Sequence, residues 1–98
     1  MEIIIKKKDL VEKQIIEISK SPKILVYFDG TNFFTFSGIC PHAKWPLELG
    51  SVSEKTLTCG GHGWEYDITN GKCISNPGRD LQTYKVIEKI DEIIIVPK

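Results

Sequence analysis

The chain lacks a charge bias, a long apolar run and a large set of cysteines. Its 13 basic and 13 acidic side chains sum to zero, a balance that does not favour DNA or an anionic membrane as a partner. The aliphatic run Ile93 to Val96 is far too short to cross a bilayer, and the start of the chain lacks the basic and apolar regions of a secretory signal. We therefore expect a cytoplasmic protein that binds neither nucleic acid nor membrane.

Three cysteines are too few, and odd in number, for a disulfide framework. Two of them stand close to histidines, which favours metal or iron-sulfur chemistry in a reducing compartment. The sequence shows no pairing of a nucleophile with a base and no candidate general base. We do not expect the chain by itself to be an enzyme.

Short runs rich in isoleucine, valine and aromatic residues predict β-strands. The predicted strands are Ile3 to Lys6, Gln14 to Ser19, Ile24 to Phe28, Phe33 to Phe36, Thr56 to Thr58, Trp64 to Ile68, a strand around Cys73, Tyr84 to Ile90, and Ile93 to Val96. A tight turn is predicted at Asp91-Glu92. No segment has a convincing helical period, although Lys8 to Glu12 could form one turn.

The middle of the chain is rich in residues that interrupt regular structure. Seven of the eight glycines and three of the five prolines lie between Gly38 and Gly78, where they favour loops. We predict one all-β domain over residues 1–98, an antiparallel β-sandwich of short strands. A loop-rich lobe, about residues 38–80, is inserted between Phe36 and Leu81.

Two Cys/His pairs lie inside this lobe. Cys40-Pro41-His42 is followed, after sixteen residues, by Cys59-Gly60-Gly61-His62. Two tight turns of this kind can aim two thiolates and two imidazoles at one inorganic centre. A [2Fe-2S] cluster with two cysteine and two histidine ligands fits that set, and so does structural zinc. Zinc modules more often use C-x2-C or H-x3-H pairs, so the spacing favours the cluster without excluding zinc.

The residues around these pairs resemble the pattern of Rieske ferredoxins over about residues 38 to 96. The matching motifs are Cys40-Pro41-His42, Leu49-Gly50, Cys59-x-x-His62-Gly63-Trp64-x-Tyr66-Asp67, Thr69-x-Gly71 and Asn76-Pro77-Gly78. The resemblance implies a Rieske-like sandwich that holds one [2Fe-2S] cluster per chain. It also implies that Cys40 and Cys59 bind the buried iron through sulfur, while His42 and His62 bind the outer iron through Nδ1.

The C-x-x-H-x-W form of the second motif is most similar to the ferredoxins of toluene monooxygenase-type systems. That resemblance implies a monomeric carrier of single electrons from a flavin-dependent reductase to the oxygenase component. Ferredoxins of ring-hydroxylating dioxygenases and small subunits of nitrite reductase share the outer pattern. Two functions of other kinds fit the same four residues: an iron-sulfur redox sensor and a zinc-stabilised interaction module.

The chain departs from respiratory Rieske proteins, whose extra cysteines join the two cluster loops and whose serine donates a hydroxyl to a bridging sulfide. Trp45 and Gly61 stand where those cysteines would be, and Trp64 stands in place of the serine. Both the cross-link and one hydrogen bond are therefore missing. We expect a potential towards the low end of the spread of roughly −150 to +300 mV for such centres.

Four residues beside the ligands each have two interpretations. Tyr66 either donates its hydroxyl to a cysteine sulfur or packs in the lobe with its hydroxyl in water. Trp45 either forms an apolar docking rim or covers the cluster loop. Trp64 either marks the monooxygenase group or simply shields the cluster. Pro77 belongs either to a third loop that closes over the cluster or to an ordinary turn. Cys73, without a histidine nearby, is expected to be a small buried apolar residue.

Overall fold

The computed structural model describes residues 2–41, 44–61 and 63–96. The strands found in these ranges are β1 (Ile3–Lys6), β2 (Ile15–Lys20), β3 (Lys23–Phe28), β4 (Phe33–Ser37), β5 (Ser51–Ser53), β6 (Thr56–Thr58), β7 (Glu65–Asp67), β8 (Lys85–Glu88) and β9 (Glu92–Val96). Short 3-10 turns lie at Lys7–Asp9 and Leu47–Leu49. Within the described ranges, no helix is long and apolar enough to cross a membrane.

The strands form three antiparallel sheets of three strands each, in the orders β1-β9-β8, β2-β3-β4 and β5-β6-β7. The first two contain the strands from the two ends of the chain. The third is built only from residues of the central, loop-rich segment. The predicted all-β, antiparallel architecture is confirmed.

Strand β3 is the central strand of the middle sheet, and its side chains are buried on both faces. Successive side chains of a strand point to opposite faces. Leu25 and Tyr27 join a buried cluster that includes residues of the lobe. Val26 joins a second cluster with Ile93 and Ile95 of β9. This two-sided burial explains why the strand is an almost continuous apolar run rather than an alternating one.

The inserted lobe begins and ends at neighbouring points of the middle sheet. The amide of Ser37 donates to the carbonyl of Gln82 at 2.8 Å, and the amide of Tyr84 donates to the carbonyl of Thr35 at 3.1 Å. The chain therefore leaves the middle sheet after β4, at residue 37, and returns beside β4 at residue 82, some 45 residues later and just before β8. The predicted insertion between Phe36 and Leu81 is confirmed, and both cysteine motifs lie inside it.

Some predicted details are wrong. The expected strand around Cys73 is only an isolated bridge between Cys73 and Tyr66. The turn between β8 and β9 is centred on Ile90 and Asp91, because the amide of Lys89 donates to the carbonyl of Glu92. The helical turn expected at Lys8 to Glu12 is a 3-10 turn at Lys7–Asp9, and β5 was not predicted. Each of these elements is short, so a local pattern of residues carries little signal for it.

Candidate metal centre

The two cysteine loops have the same internal hydrogen bonds. In the first loop, the amide of Cys40 donates to the carbonyl of Trp45 at 2.9 Å, and the amide of Lys44 donates to the carbonyl of Cys40 at 2.8 Å. In the second loop, Cys59 is bonded in the same way to Trp64, at 2.8 Å, and to Gly63, at 3.0 Å. The fourth residue after each cysteine has a positive φ, 55° at Lys44 and 76° at Gly63. The two predicted tight turns are therefore present, and they are near copies of each other.

Both cysteine side chains are directed into the protein. Cys40 is 0% exposed and Cys59 is 1% exposed, and the two belong to one buried cluster. Neither takes part in a disulfide. Two reduced sulfurs delivered to one buried region by matching loops are a donor set that suits an iron-sulfur cluster or zinc.

The two predicted imidazole ligands, His42 and His62, lie outside the described residues. Their neighbours Pro41 and Gly63 are both exposed, whereas the cysteines are buried. Each loop therefore runs from a buried cysteine to the surface. The expectation that the histidines bind the outer iron stays a prediction.

Tyr66 lies fully buried beside the first cysteine. Its hydroxyl oxygen is 3.2 Å from the sulfur of Cys40, and the side chain is 0% exposed. Burial, followed by the contact with Cys40, raises the pKa of the Tyr66 hydroxyl well above its ordinary value. The hydroxyl therefore keeps its proton and can donate it to a thiolate sulfur. The second interpretation, a hydroxyl exposed to water, is wrong.

Strands β6 and β7 position Tyr66. Leu57, also fully buried, pairs with Tyr66 across the two strands. On its other side, Tyr66 forms the isolated bridge with Cys73. These contacts leave the ring little freedom, so the direction of its hydroxyl is set by the lobe sheet.

The two tryptophans occupy different environments. Trp45 is 39% exposed, and part of its ring lies against the second cysteine loop, where a Cβ added at Gly61 would be 2.9 Å from Trp45 Cδ2. Trp45 thus covers a loop, as one interpretation expected, while also leaving apolar surface exposed. Trp64 is half-buried and packs against the cluster that contains both cysteines. That position agrees with a shielding role.

The predicted third loop is an exposed turn. Pro77 is exposed, and the amide of Arg79 donates to the carbonyl of Asn76 at 3.2 Å. The turn is joined to the lobe through Asp80, whose carboxylate accepts the amide of Cys73 at 3.1 Å. Cys73 is 4% exposed, which confirms that it is buried. Closure of the Pro77 loop over the cluster stays a prediction.

Nothing in the sequence indicated an ion-pair network that joins strand β3 to the segment after the first cysteine loop. The ammonium of Lys23 in β3 contacts the carboxylates of Glu17 at 2.6 Å and Glu48 at 2.8 Å. Glu48 belongs to the 3-10 turn that follows the first cysteine loop. The two hydrogen bonds to these carboxylates raise the pKa of the Lys23 ammonium, so it stays charged. Lys23 and Glu48 are 25 residues apart, and no local pattern indicated this link.

Residues 2–85 match the family described as Rieske [2Fe-2S] domain. This chain belongs to the Rieske family. A Rieske domain binds a [2Fe-2S] cluster, and the two buried, reduced cysteines in matching loops fit that group. The family assignment favours the cluster over structural zinc.

Curated relatives match parts of this Rieske chain. The alkene monooxygenase system ferredoxin component of Xanthobacter autotrophicus is 28% identical over 74 residues, covering 74% of this chain and 60% of that protein. The methanesulfonate monooxygenase ferredoxin subunit of Methylosulfonomonas methylovora is 27% identical over 73 residues, covering 74% and 59%. A putative Rieske 2Fe-2S iron-sulfur protein of Mycolicibacterium smegmatis is 42% identical over 48 residues, covering 48% and 9%. This chain thus spans from 9% to 60% of the length of these relatives.

Solved structures share the Rieske fold. The ferredoxin of carbazole 1,9a-dioxygenase from Nocardioides aromaticivorans IC177 has a TM-score of 0.85 at 20% identity, with 98% of this chain and 96% of that chain covered. A putative nitrite reductase NADPH small subunit has a TM-score of 0.86 at 10% identity, with 99% of each chain covered. At these identities the likeness shows the fold alone.

Proposed function

We propose that this chain is a Rieske-type ferredoxin, a carrier of single electrons and not itself an enzyme. In this proposal Cys40 and Cys59 bind one iron of a [2Fe-2S] cluster through sulfur, and His42 and His62 bind the other through Nδ1. The observation that carries it is the pair of matching loops, each of which buries its cysteine. When bound, the cluster takes up and releases one electron at a time.

The chain's own residues then perform four tasks. The buried cysteines hold the group from the inside of the lobe. Tyr66 keeps its proton and donates a hydrogen bond to the sulfur of Cys40. Trp64 packs beside the cysteines and keeps water from that side. His42 and His62, as the proposed ligands of the outer iron, provide the path by which an electron reaches a docked protein.

The cofactor and its ligands can be tested with four serine and alanine variants and a matched control. We expect about two irons and two acid-labile sulfides per chain, with a paramagnetic signal on reduction. The substitutions Cys40→Ser, Cys59→Ser, His42→Ala and His62→Ala should each abolish that signal, whereas Cys73→Ser should retain it. Zinc in place of iron in protein purified without oxygen would contradict the proposal.

The partners we propose are a flavin-dependent reductase and the oxygenase of a multicomponent monooxygenase, of the toluene monooxygenase type. Two relatives named as ferredoxin components of monooxygenase systems support this choice, and so does the C-x-x-H-x-W motif. The second candidate is a ferredoxin of a ring-hydroxylating dioxygenase or a nitrite reductase small subunit. The structural likeness to the ferredoxin of a carbazole dioxygenase motivates it. We further propose that the carrier is a cytoplasmic monomer that docks transiently.

A reconstituted system distinguishes these partners. The reduced protein is mixed, in separate experiments, with a diiron hydroxylase and with a dioxygenase, each encoded beside a gene of this family. Reoxidation is followed by stopped-flow absorbance. We expect rapid reoxidation and product formation with the hydroxylase. Faster transfer to the dioxygenase would select the second candidate, and tight binding without electron transfer would favour a redox sensor.

A further inference from the structure

The indole of Trp45 connects the two cysteine loops. A Cβ added at Gly61 would lie 2.9 Å from Trp45 Cδ2, 3.0 Å from Cγ and 3.1 Å from Cε3. A Cβ added at Gly60 would lie 3.5 Å from Trp45 Nε1. Three of these distances are at or below the closest approach that side chains normally make. The ring therefore lies against bare backbone, and a side chain at residue 61 would displace it.

Trp45 is itself held in the first loop. Its carbonyl accepts the amide of Cys40 at 2.9 Å, so the backbone at residue 45 is tied to the first sulfur ligand. Gly60 and Gly61 come immediately after Cys59, the second sulfur ligand. The contact of the indole with these glycines thus joins the two ligand-bearing segments at points next to the cysteines.

The residue pair 45 and 61 has the spacing of a covalent cross-link. Because a Cβ at residue 61 would be 3.0 Å from Trp45 Cγ, the two Cβ atoms would be separated by at most about 4.5 Å, within reach of a disulfide. The cysteines of this chain form no disulfide. A noncovalent contact occupies a position where a cross-link would fit.

We propose that Trp45 is a positioning residue that braces the second cysteine loop against the first, with Gly61 as the surface on which the ring packs. The brace rests on the proposed function, since it keeps together two loops that share one cluster. Release of iron requires these loops to separate. Loss of the brace therefore shortens the lifetime of the bound cluster, and the partly exposed ring also limits the access of water and chelators between the loops.

The test is a double-mutant cycle on the rate of iron release. Cluster-loaded protein is mixed with a strong iron chelator, and the loss of visible absorbance is followed. Trp45→Ala should release iron about tenfold faster or more, because a large aromatic contact is lost. Trp45→Phe should retain most of the protection. Gly61→Ala should accelerate release in the wild-type background and have almost no effect in the Trp45→Ala background, where its methyl group meets no ring.

Gly63→Ala is the matched control in the same loop. Among the described residues, no atom beyond the chain neighbours of Gly63 lies within 4 Å of a Cβ added there, so the effect of Gly63→Ala should be additive with that of Trp45→Ala. If Trp45→Ala acted only by lowering the overall stability of the protein, the effects of Gly61→Ala and Gly63→Ala on iron release would both be additive with its own. Additivity of Gly61→Ala, or unchanged iron release from Trp45→Ala, would overturn the proposal. Reduction potentials of the same variants report whether the geometry of the cluster changes with the brace.

The cross-link variant Trp45→Cys/Gly61→Cys separates the brace from the proposed function. Its thiols should form a 45–61 disulfide on mild oxidation, detected by mass spectrometry of digested protein, with or without iron. In cluster-loaded protein, the oxidised variant should release iron at about the wild-type rate, and its reduced form should release iron faster. If the purified wild-type protein contains no iron, the proposed function is wrong. The brace is then tested by the same double-mutant cycle, with the midpoint of unfolding measured in place of the rate of iron release. Failure of the 45–61 disulfide to form would overturn the brace itself.

Discussion

The hydroxyl oxygen of Tyr66 lies 3.2 Å from the sulfur of Cys40, and neither side chain has exposed surface. A donor so close to a proposed ligand sulfur stabilises the state in which that sulfur carries more negative charge. Reduction adds one electron to the cluster, so the hydrogen bond favours the reduced form. This relationship offsets part of the low potential expected from the missing serine at residue 64.

The variant Tyr66→Phe removes this hydrogen bond while keeping the ring. We expect the reduction potential to fall by about 20 to 60 mV, since a net hydrogen bond is worth roughly 0.5 to 1.5 kcal/mol and 59 mV corresponds to a tenfold change for one electron. The potential is measured by voltammetry. Tyr84→Phe is the control, because Tyr84 packs against the other buried cluster. Equal potentials in Tyr66→Phe and wild type would contradict the role of the hydroxyl.

The fourth residue after each cysteine, Lys44 in the first loop and Gly63 in the second, has a positive φ. We therefore expect substitutions at these two residues to change the stability of the protein in opposite directions. Lys44 has a φ of 55°, in a region that side chains rarely adopt, and Gly63 has a φ of 76° at the same place in the second loop. Lys44→Gly should raise the free energy of unfolding by about 1 kcal/mol, and Gly63→Ala should lower it by a similar amount. Urea denaturation measures both.

Lys55→Gly is the control for the first of these substitutions. Lys55 is an exposed turn residue whose φ is not positive, so glycine there should lower stability through the entropy of the unfolded chain. If Lys44→Gly and Lys55→Gly destabilise the protein equally, the conformational explanation is wrong.

Gly71, in the turn after β7, and Gly78, in the Pro77 loop, separate the effect of steric fit from that of backbone conformation. Gly71 has a φ of 80°, and a Cβ added to it would overlap the carbonyl oxygen of Leu81. Gly78 has a φ of 98°, but no atom of the described residues, apart from its chain neighbours, lies within 4 Å of its added Cβ. Gly78→Ala should cost about 1 to 2 kcal/mol from conformation alone. Gly71→Ala should cost clearly more, since the Leu81 backbone must also move. Thermal unfolding of the two variants compares them, and equal losses would contradict the packing at Gly71.

The hydrogen bonds of the Asp29 carboxylate lead us to expect that the protein loses stability in acid. Its carboxylate accepts the amide of Asn32 at 2.6 Å and that of Thr31 at 2.8 Å, and these two bonds lower the pKa of Asp29. A carboxyl whose pKa is lower in the folded state contributes stability above its unfolded pKa, near 4. That contribution is lost as the pH falls through the folded pKa.

The measurement is the urea midpoint of wild type and Asp29→Asn at pH 7 and pH 3. Asparagine keeps an acceptor oxygen at residue 29 but removes its titration, so the variant should lose less stability between the two pH values than wild type. Asp91→Asn, at the exposed turn between β8 and β9, serves as the control for removal of one surface charge. Parallel losses in wild type and Asp29→Asn would show that the turn does not contribute to the acid sensitivity.

Local patterns in the sequence predicted most of the strands. Runs such as Ile24 to Phe28 carry their own signal, because an apolar run of that length is typical of a buried strand. The insertion between Phe36 and Leu81 was predicted from the change in glycine and proline content that marks the loop-rich segment. Short polar strands such as β5 carry no such signal, because their pairing with a neighbour forms them.

For the proposed metal centre, too, some features follow from local sequence and others only from the tertiary structure. The sequence alone determined the residue types, the spacing of the two cysteine motifs and the family that they indicate, because each motif lies within one tight turn. Only the tertiary structure decided that Tyr66 contacts Cys40, that Lys23 links to Glu48, and that Trp45 packs on Gly61. Those contacts join residues far apart in the chain, and their geometry depends on how the lobe folds and, for Lys23 and Glu48, on how it packs against the middle sheet, rather than on any local pattern of residues.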